Sequence, residues 1–305
     1  MISLEQLTKK FGPTTAVDNL SLEVSEGEIF GLIGPDGAGK TTTLRVMATA
    51  MTPTTGKVTI GGVDAAKNPE AVKKLIGYMP QRFALYPDLT VLENLNFFAD
   101  MFGAPRAERV ERVSRLLGFA RLTAFQGRRA ANLSGGMQKK LALAATLMHR
   151  PRILLLDEPT TGVDPVSRRE FWDLLTQLHL EGVTIITSTP YLDEAERCTH
   201  VCMMYRGRMI ATDTPNRLRD EIDATVLEAL STQAKGARQA VEKHAGVFVA
   251  STHGDIVRLL VDSPARQAEL DAAWTEQRIP VNNLHVVRPR LEDVFVLSVS
   301  RMKGA

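Results

Sequence analysis

Residues 28–50 read EIFGLIGPDGAGKTTTLRVMATA, and this stretch decides the fold. Its first part, EIFGLIG, is a short apolar run that ends in glycine, which indicates a buried strand. Residues 39–50 then have the character of a helix. Gly34 to Thr41, which join the two, fit the pattern G-x-x-x-x-G-K-[ST], and this pattern requires a strand before it and a helix after it. The order of these three parts therefore predicts a loop that cradles phosphate.

The loop predicts a site for the phosphates of a nucleoside triphosphate. Its glycines let consecutive backbone N–H groups turn inward, and the helix N-terminus adds partial positive charge. We expect Lys40 to reach the β- and γ-phosphates and the Thr41 hydroxyl to coordinate Mg²⁺. A glycine-rich turn without a ligand is the alternative. The predicted nucleotide-contacting residues of the loop are Gly34, Pro35, Asp36, Gly37, Ala38, Gly39, Lys40, Thr41 and Thr42.

A second motif, RILLLDE (152–158), is an apolar strand that ends in two carboxylates. Ligands of an open α/β sheet lie at the carboxyl ends of its strands. Asp157 is therefore predicted to enter the Mg²⁺ shell beside Thr41. Glu158 is predicted to face the γ-phosphate and to accept hydrogen bonds from an attacking water, as the catalytic residue. The alternative is that both carboxylates cap the following turn.

A third motif, Leu133-Ser134-Gly135-Gly136-Met137, opens a helix predicted over 134–149. Ser134 is a good N-cap, and the glycines expose backbone donors that suit a γ-phosphate. Placed shortly before ILLLDE, this pentapeptide resembles the LSGGQ signature of ABC ATPases. In that family the signature of one subunit completes the ATP site of its partner, which implies this role for Ser134, Gly135 and Gly136. Met137 stands where glutamine is usual, and Gln138 follows it.

The resemblance runs nearly end to end over residues 1–220, and it implies ATP and Mg²⁺ as cofactors. It implies roles for three further side chains. Phe11 would stack on adenine, Gln81 would reach Mg²⁺ and follow the motion of a helical subdomain, and Asp164 would cross a dimer interface. The alternatives are an aromatic of the core or sheet edge, a solvated loop glutamine and an Asp-Pro turn.

Alternating strands and helices predict an α/β fold with a mostly parallel sheet. The resemblance implies a P-loop NTPase fold, an ABC nucleotide-binding domain over residues 1–221 with a helical subdomain inserted at about 82–150. Further predicted strands are 57–62, 76–81 and 183–188, and predicted helices of the insert are 90–103 and 107–119.

From about residue 222 the pattern changes to that of a small C-terminal α+β domain, residues 222–305. The stretch GVFVASTHGDIVRLLVD predicts a hairpin that turns at His253-Gly254. The predicted elements are a strand (224–230), a helix (232–244), two strands (246–251 and 254–262), a helix (264–277), a strand (281–287) and a closing helix (291–300).

The composition and the lengths of the apolar runs exclude several classes of protein. With 37 basic and 35 acidic side chains the formal net charge is +2, which gives no reason to expect nucleic acid as a partner. Cys198 and Cys202 are expected to be reduced thiols of the core, because a C-x3-C metal site would lack further ligands. No apolar run approaches the ~18–20 residues of a membrane helix, and MISLEQLTKKFG is not a secretion signal.

The segment PRLEDVF (289–295) resembles the ending of ATPases of ABC-2 type exporters, including daunorubicin-resistance-like drug pumps. GPDGAGKTT, LSGGM, DPVSRRE and STPYLDEAE are similar to the first nucleotide domain of tandem ABC-2 multidrug exporter ATPases. This implies two partners, a transmembrane ABC-2 permease and a second ATP-binding subunit in a homodimer or heterodimer. It also implies a cytoplasmic location at the inner face of the membrane. The alternatives are a soluble ABC ATPase of ribosomes or DNA, and a nucleotide-gated switch.

One position departs from the family. Pro190 follows Ser188-Thr189, where the family usually has histidine. Proline suits the first turn of a helix, so the fold should survive, but it has no side-chain donor for the γ-phosphate. Losing such a contact costs ~10²–10³-fold in rate. We therefore expect the chain to bind ATP well and to hydrolyse it slowly.

The sequence also predicts two surfaces. In the family, residues 82–105 contact the transmembrane subunit, and Phe83, Tyr86 and Leu89 are candidate anchors; ordinary packing is the alternative. Four arginines recur among glutamates on one helix, which indicates a solvated face with salt bridges rather than a nucleic-acid surface. These are Arg106, Arg109, Arg112 and Arg115.

Overall fold

A computed structural model describes residues 2–82 and 85–304, with the side chains of 303 and 304 left aside. The chain divides into two compact units, Met1–Met209 and Ile210–Ala305. The strands up to this division are β1 (Ile2–Phe11), β2 (Thr14–Val24), β3 (Ile29–Ile33), β4 (Thr55–Ile60), β5 (Val63–Asp64), β6 (Ile76–Met79), β7 (Ile153–Asp157), β8 (Thr184–Thr189), β9 (His200–Tyr205) and β10 (Arg208–Asp213). The helices of the first unit are α1 (Lys40–Met47), α2 (Pro69–Leu75), α3 (Val91–Met101), α4 (Arg106–Phe119), α5 (Gly135–Thr146), α6 (Pro165–Leu180) and α7 (Leu192–Ala195).

The predicted parallel sheet is confirmed. Its strand order is β10-β9-β3-β8-β7-β6, and β3 pairs in parallel with β8 and β9, as β7 does with β6 and β8. Every residue of β3, β7 and β8 is buried, which is the pattern of strands covered on both faces. The carboxyl ends of β3, β7 and β8 therefore lie side by side.

A second, antiparallel sheet has the order β2-β1-β4-β5. The sequence analysis does not predict its first two strands. The pairing of β1 with β2 contains register shifts, and Gln6 and Asn19 have left-handed φ values of 49° and 52°. Such bulges interrupt the alternation that marks a strand. Helix α1 contacts β2 and β4 of this sheet and β7 and β8 of the parallel sheet, so it lies between the two.

The helical insert follows the predicted pattern in α3 and α4. Thr90 and Glu93 form a reciprocal capping box at the start of α3, which satisfies two backbone donors at once. Helix α5 begins as predicted but ends at Thr146, and it packs against α3, α4, α6 and β6. Arg109, Arg112 and Arg115 form ion pairs with Asp100, Glu108 and Glu181, respectively, as predicted. The side chains of Arg109 and Arg112 are only 19% and 11% exposed, however, so this face is less solvated than predicted.

The second unit contains, in chain order, α8 (Pro215–Asp220), β11 (Thr225–Leu230), α9 (Ala234–Val241), β12 (Val247–His253), β13 (Ile256–Val261), α10 (Arg266–Glu276), β14 (Asn282–Val287) and α11 (Leu291–Gly304). The sheet order β12-β13-β11-β14, antiparallel throughout, is that of a ferredoxin-like β-α-β-β-α-β unit. Helices α9 and α10 cover one face around Trp274. Leu297 of α11 packs with Val226 and Leu260 in a separate cluster.

Helix α8 belongs to the second compact unit, which begins at Ile210. It packs against α11, which is distant in sequence. Helix α11 is in turn fixed by a buried ion-pair cluster. Arg258 of β13 is 6% exposed, donates to both oxygens of Asp293 at 2.8 and 2.7 Å, and donates to Glu228 at 2.5 Å. Within the described residues, no helix is long and apolar enough to span a bilayer.

Candidate nucleotide site

The predicted phosphate loop joins β3 to α1. Gly34 and Gly39 are the positions that only glycine fits. A Cβ on Gly34 would lie 2.2 Å from the Met204 carbonyl oxygen, and one on Gly39, whose φ is 105°, would lie 2.6 Å from the Ala16 carbonyl oxygen. The crest of the loop is exposed and consists of Pro35, Asp36 and Gly37, whereas Ala38 is buried and Thr42 is half-buried.

Lys40 is the first residue of α1 and is 3% exposed. Its ammonium donates hydrogen bonds to the carbonyl oxygens of Gly34 at 2.7 Å and Pro35 at 3.1 Å. It also lies 3.4 Å from Oε1 of Glu158. A buried ammonium held by loop carbonyls and one carboxylate is a point charge aimed into the loop, as a phosphate-binding lysine requires.

Asp157 ends β7 beside the loop and is fully buried. Its Oδ1 accepts hydrogen bonds from the hydroxyls of Thr41 at 2.9 Å and Ser188 at 2.8 Å. Its Oδ2 is buried and accepts no hydrogen bond within the part of the chain that the structure describes. An orphaned carboxylate oxygen next to a threonine hydroxyl is a pair of ligands that a hard divalent cation prefers. The predicted magnesium ligands Thr41 and Asp157 therefore fit such an ion.

Glu158 is held from several sides. Its Oε2 accepts hydrogen bonds from the Gln81 amide at 2.7 Å and from the Thr161 hydroxyl at 3.2 Å. Its backbone N–H donates to Oγ of Ser188 at 3.0 Å, and its φ of 46° is left-handed. The structure thus brings Lys40, Asp157, Glu158 and Gln81 into one cluster.

A second cluster forms around the start of α5. Oγ of Ser134 accepts a hydrogen bond from the N–H of Met137 at 3.3 Å, and Ser134 and Gly135 are exposed. Gly136 is buried, and a Cβ added to it would lie 2.5 Å from the Cβ of Ser167. Among the described residues, no hydrogen bond joins this helix start to Lys40 or Glu158 of the same chain.

Asp164 belongs to this second cluster, because it caps α6 beside Ser167. Its carboxylate accepts hydrogen bonds from the backbone N–H groups of Val166 at 3.1 Å and Ser167 at 2.9 Å. The bonds to Ser167, followed by that to Val166, hold the pKa of the Asp164 carboxyl below its usual value. Phe11 lies apart at the end of β1, 48% exposed, with the Lys9 ammonium 5.2 Å from its ring centroid.

Pro190 directly follows β8, and its neighbours form a buried network. Glu194 is 2% exposed and accepts hydrogen bonds from the hydroxyls of Thr160 at 2.5 Å and Thr189 at 2.7 Å. Arg168 lies 3.5 Å from the same carboxylate. These contacts tie the loop after Glu158 to the segment that carries Pro190.

Three residues of the site are not predicted from the sequence, namely Ser188, Glu194 and Lys139. Ser188 is opposite Asp157 in the parallel register of β7 and β8, so a polar residue ending the neighbouring strand was the available signal. Lys139 donates to the Gln81 carbonyl oxygen at 2.8 Å. Neither that bond nor the contacts of Glu194 has a local sequence signal.

A phosphate loop between β3 and α1, two carboxylates at the end of β7 and a helical insert between β6 and β7 define a P-loop nucleotide-binding cassette. The family model described as "ABC transporter" matches residues 17–161. The solved dimer of the ATP-binding cassette MJ0796 bound to ADP and Pi matches with a TM-score of 0.64 at 29% identity, covering 70% of this chain and 98% of that one.

Two curated relatives match almost the whole chain. The probable multidrug ABC transporter ATP-binding protein YbhF of Escherichia coli is 40% identical over 301 residues, covering 97% of this chain and 51% of YbhF. The Nod factor export ATP-binding protein I of Paraburkholderia xenovorans is 37% identical over 304 residues, covering 98% of this chain and 97% of that protein. The chain therefore belongs to the ABC transporter family and carries its nucleotide-binding domain, while it spans about half the length of YbhF.

Proposed function

We propose that the chain is an ATP-binding and ATP-hydrolysing subunit of an ABC-2 type exporter. The observation that carries the proposal is the cluster of Lys40, Asp157, Glu158 and Gln81 at the carboxyl ends of β3 and β7. It combines a buried phosphate-seeking cation with an orphaned carboxylate oxygen and a second, hydrogen-bonded carboxylate. These are the charges that phosphoryl transfer from ATP to water requires.

Each residue would have a separate task. The Lys40 ammonium would exchange its bonds to the loop carbonyls for stronger ones to phosphate oxygens. Thr41, Asp157 and Gln81 would hold Mg²⁺, which neutralises charge on the phosphates when bound. The Glu158 carboxylate would accept a hydrogen bond from the attacking water and orient it. The exposed ring of Phe11 would stack on the adenine.

The second cluster supports action as a dimer. The start of α5 presents the exposed Ser134 and Gly135, and Asp164 caps α6 next to it. A helix N-terminus attracts phosphate, yet within the described part of the chain this one makes no hydrogen bond to the Lys40 cluster. We infer that Ser134, Gly135 and Gly136 contact the ATP of a second ATP-binding subunit and that Asp164 lies at the interface.

The surface of α3 supports a transmembrane permease as the second partner. Aromatic rings form a continuous row from Tyr86 through Phe97 and Phe98 to Phe102, with centroid separations of 4.5, 5.6 and 6.1 Å. Tyr86, Phe97 and Phe102 are 47%, 37% and 40% exposed. Leu89 is half-buried, and Phe83 lies outside the described residues. Exposed aromatic side chains are typical anchors of protein interfaces.

The chain would act at the cytoplasmic face of the membrane, and the exported compound would be a drug or a lipid-like molecule. The names of relatives, which refer to multidrug transport and to Nod factor export, support an exporter. The resemblance of the PRLEDVF segment to the ending of ABC-2 exporter ATPases supports the same assignment. Residues 1–221 would be the nucleotide-binding domain and 222–305 an accessory domain.

Pro190 favours a second candidate, a nucleotide-gated switch that binds ATP with negligible hydrolysis. The segment around it is fixed by Glu194, but proline offers no hydrogen bond to a phosphate. Hydrolysis would then depend on a partner subunit that has the histidine. The two candidates share the binding site and differ only in turnover.

Glu158→Gln tests the hydrolytic role. We expect the variant to bind MgATP like the wild type and to remain dimeric with it in size-exclusion chromatography, while single-turnover phosphate release falls at least ~10²-fold. Glu70→Gln, a change at a 76% exposed carboxylate, is the control. Equal phosphate release from wild type and E158Q would contradict the hydrolytic role and favour the switch. Recovery of the protein with ribosomes rather than membranes after cell fractionation would contradict the exporter.

A further inference from the structure

Lys139 holds Gln81 from the opposite side to Glu158. Its ammonium donates a 2.8 Å hydrogen bond to the Gln81 carbonyl oxygen, while the Gln81 amide donates a 2.7 Å bond to Oε2 of Glu158. Gln81 is therefore fixed at its backbone by α5 and at its side chain by the catalytic carboxylate. Because α5 begins at the Ser134 cap, a continuous set of bonds leads from that helix to Lys40 through Gln81 and Glu158.

The electrostatics place Lys139 close to the catalytic carboxylates. The pKa of Lys139 is lowered, mainly by burial. The negative charges of Asp157 and, second, of Glu158 act in the opposite direction and raise it. The ammonium thus lies within the field of both carboxylates, as a second cation besides Lys40.

A small cavity lies beside the Lys139 stem, next to the residues that flank Gln81. The cavity, of about 70 Å³, lies between the end of β6 and α5, and its walls include Met79, Leu85, Phe98, Lys139 and Ala142. Apolar side chains therefore do not fill the space between the two elements. The contact between α5 and Gln81 is therefore made by the hydrogen bond from Lys139.

We propose that Lys139 is a positioning residue that connects the two half-sites of one chain. The first half-site is the start of α5, which would contact the ATP of the partner subunit, and the second is Glu158, which would act on the chain's own ATP. A shift of α5 moves the Gln81 carbonyl through Lys139 and so changes how the Gln81 amide holds Glu158. The proposal rests on the proposed function, since it requires two ATP sites in a dimer.

Lys139→Met tests the connection, because it keeps the length of the stem and removes the donor. Lys139→Arg retains a donor and a charge, and Lys67→Met, at an 85% exposed side chain, is the control for lost charge. The readouts are hydrogen exchange in a peptide spanning residues 76–82 without nucleotide, the Kd for MgATP, and single-turnover phosphate release. Exchange is measured on the full chain and does not depend on hydrolysis.

For K139M we expect faster exchange at Gln81 and Arg82, an unchanged Kd, and phosphate release slower by about ten- to a hundredfold, because a small misplacement of a catalytic group has effects of this size. K139R and K67M should resemble the wild type. Wild-type exchange and release in K139M would overturn the proposal. Equal losses in affinity and rate would also overturn it, since they would indicate a merely structural role.

The two proposals fail in different ways. If the wild type does not bind MgATP, the proposed function fails, and the exchange measurement still decides whether Lys139 holds Gln81. If the wild type binds and hydrolyses ATP and K139M does so equally well, the proposed function stands and the role of Lys139 is wrong.

Discussion

The Lys40 ammonium lies 3.4 Å from Oε1 of Glu158, and both side chains are almost fully buried, 3% and 6% exposed. The pair brings the phosphate loop and the end of β7 into direct electrostatic contact. Each partner limits the cost of burying the other, because an isolated buried charge is strongly unfavourable. The same proximity lets the ammonium pass from carboxylate to phosphate without leaving the site.

Lys40→Ala should therefore weaken nucleotide binding. A hydrogen bond to a charged group is worth about 1.5–3 kcal/mol, so the Kd for MgATP should rise about ten- to a hundredfold. Titration calorimetry measures it, and Lys67→Ala serves as the control at an exposed lysine. Undiminished affinity in K40A would refute the assignment of the loop.

Pro190→His should raise turnover. The segment is already fixed through Thr189 and Glu194, so a histidine there would add a donor near the γ-phosphate without rebuilding the loop. We expect phosphate release to increase by up to ~10²–10³-fold. Pro190→Ala is the matched control, because it removes the ring and supplies no donor. Equal rates in P190H and P190A would show that a donor at this position is not what limits the reaction.

Asp293→Ala should destabilise the second unit. It leaves the buried Arg258 guanidinium with Glu228 as its remaining carboxylate partner among those described here, and removing one partner of a buried pair costs about 3–5 kcal/mol. Urea unfolding measures the loss, with Glu292→Ala, on the same helix but 52% exposed, as the control. A loss in the free energy of unfolding below about 1 kcal/mol would show that the cluster stabilises the protein no more than ordinary surface ion pairs do.

Cys198 and Cys202 should be unreactive in the native protein. Both are free and buried. Burial raises the pKa of the Cys198 thiol and raises that of Cys202 to about 12. Since a thiol reacts as thiolate, and pH 8 lies far below these pKa values, both groups stay protonated there. Ellman's reagent should detect two thiols only after unfolding in guanidinium, and rapid native labelling would contradict the buried placement.

Motifs of short range could be predicted from the sequence. The strand, loop and helix around Lys40 follow from local pattern, and so do the order and type of elements in the second unit. There short, mostly apolar runs are separated by clear turn signals, as in β13, which is buried from Val257 to Val261. The family resemblance also depended on such contiguous motifs.

Features that join distant segments could not be predicted. The bond from Lys139 to Gln81 and the network of Glu194 each connect residues that no spacing rule relates. Strands β1 and β2 could not be predicted, because the bulges at Gln6 and Asn19 shift the two-residue alternation of side chains by which a strand is recognised in a sequence. The packing of α8 against α11 also joins distant segments, and only the folded chain reveals it.

The left-handed φ of Glu158, 46°, has a consequence for how far this protein can be stabilised. A residue with a side chain is strained in that region, at a cost of order 1–3 kcal/mol, and glycine would relieve it. The sequence that folds most comfortably at this turn therefore lacks the carboxylate that we propose orients the attacking water. Selection for thermal stability alone would therefore favour an inactive protein with glycine at position 158. Any engineered variant should be assayed for turnover as well as for melting temperature.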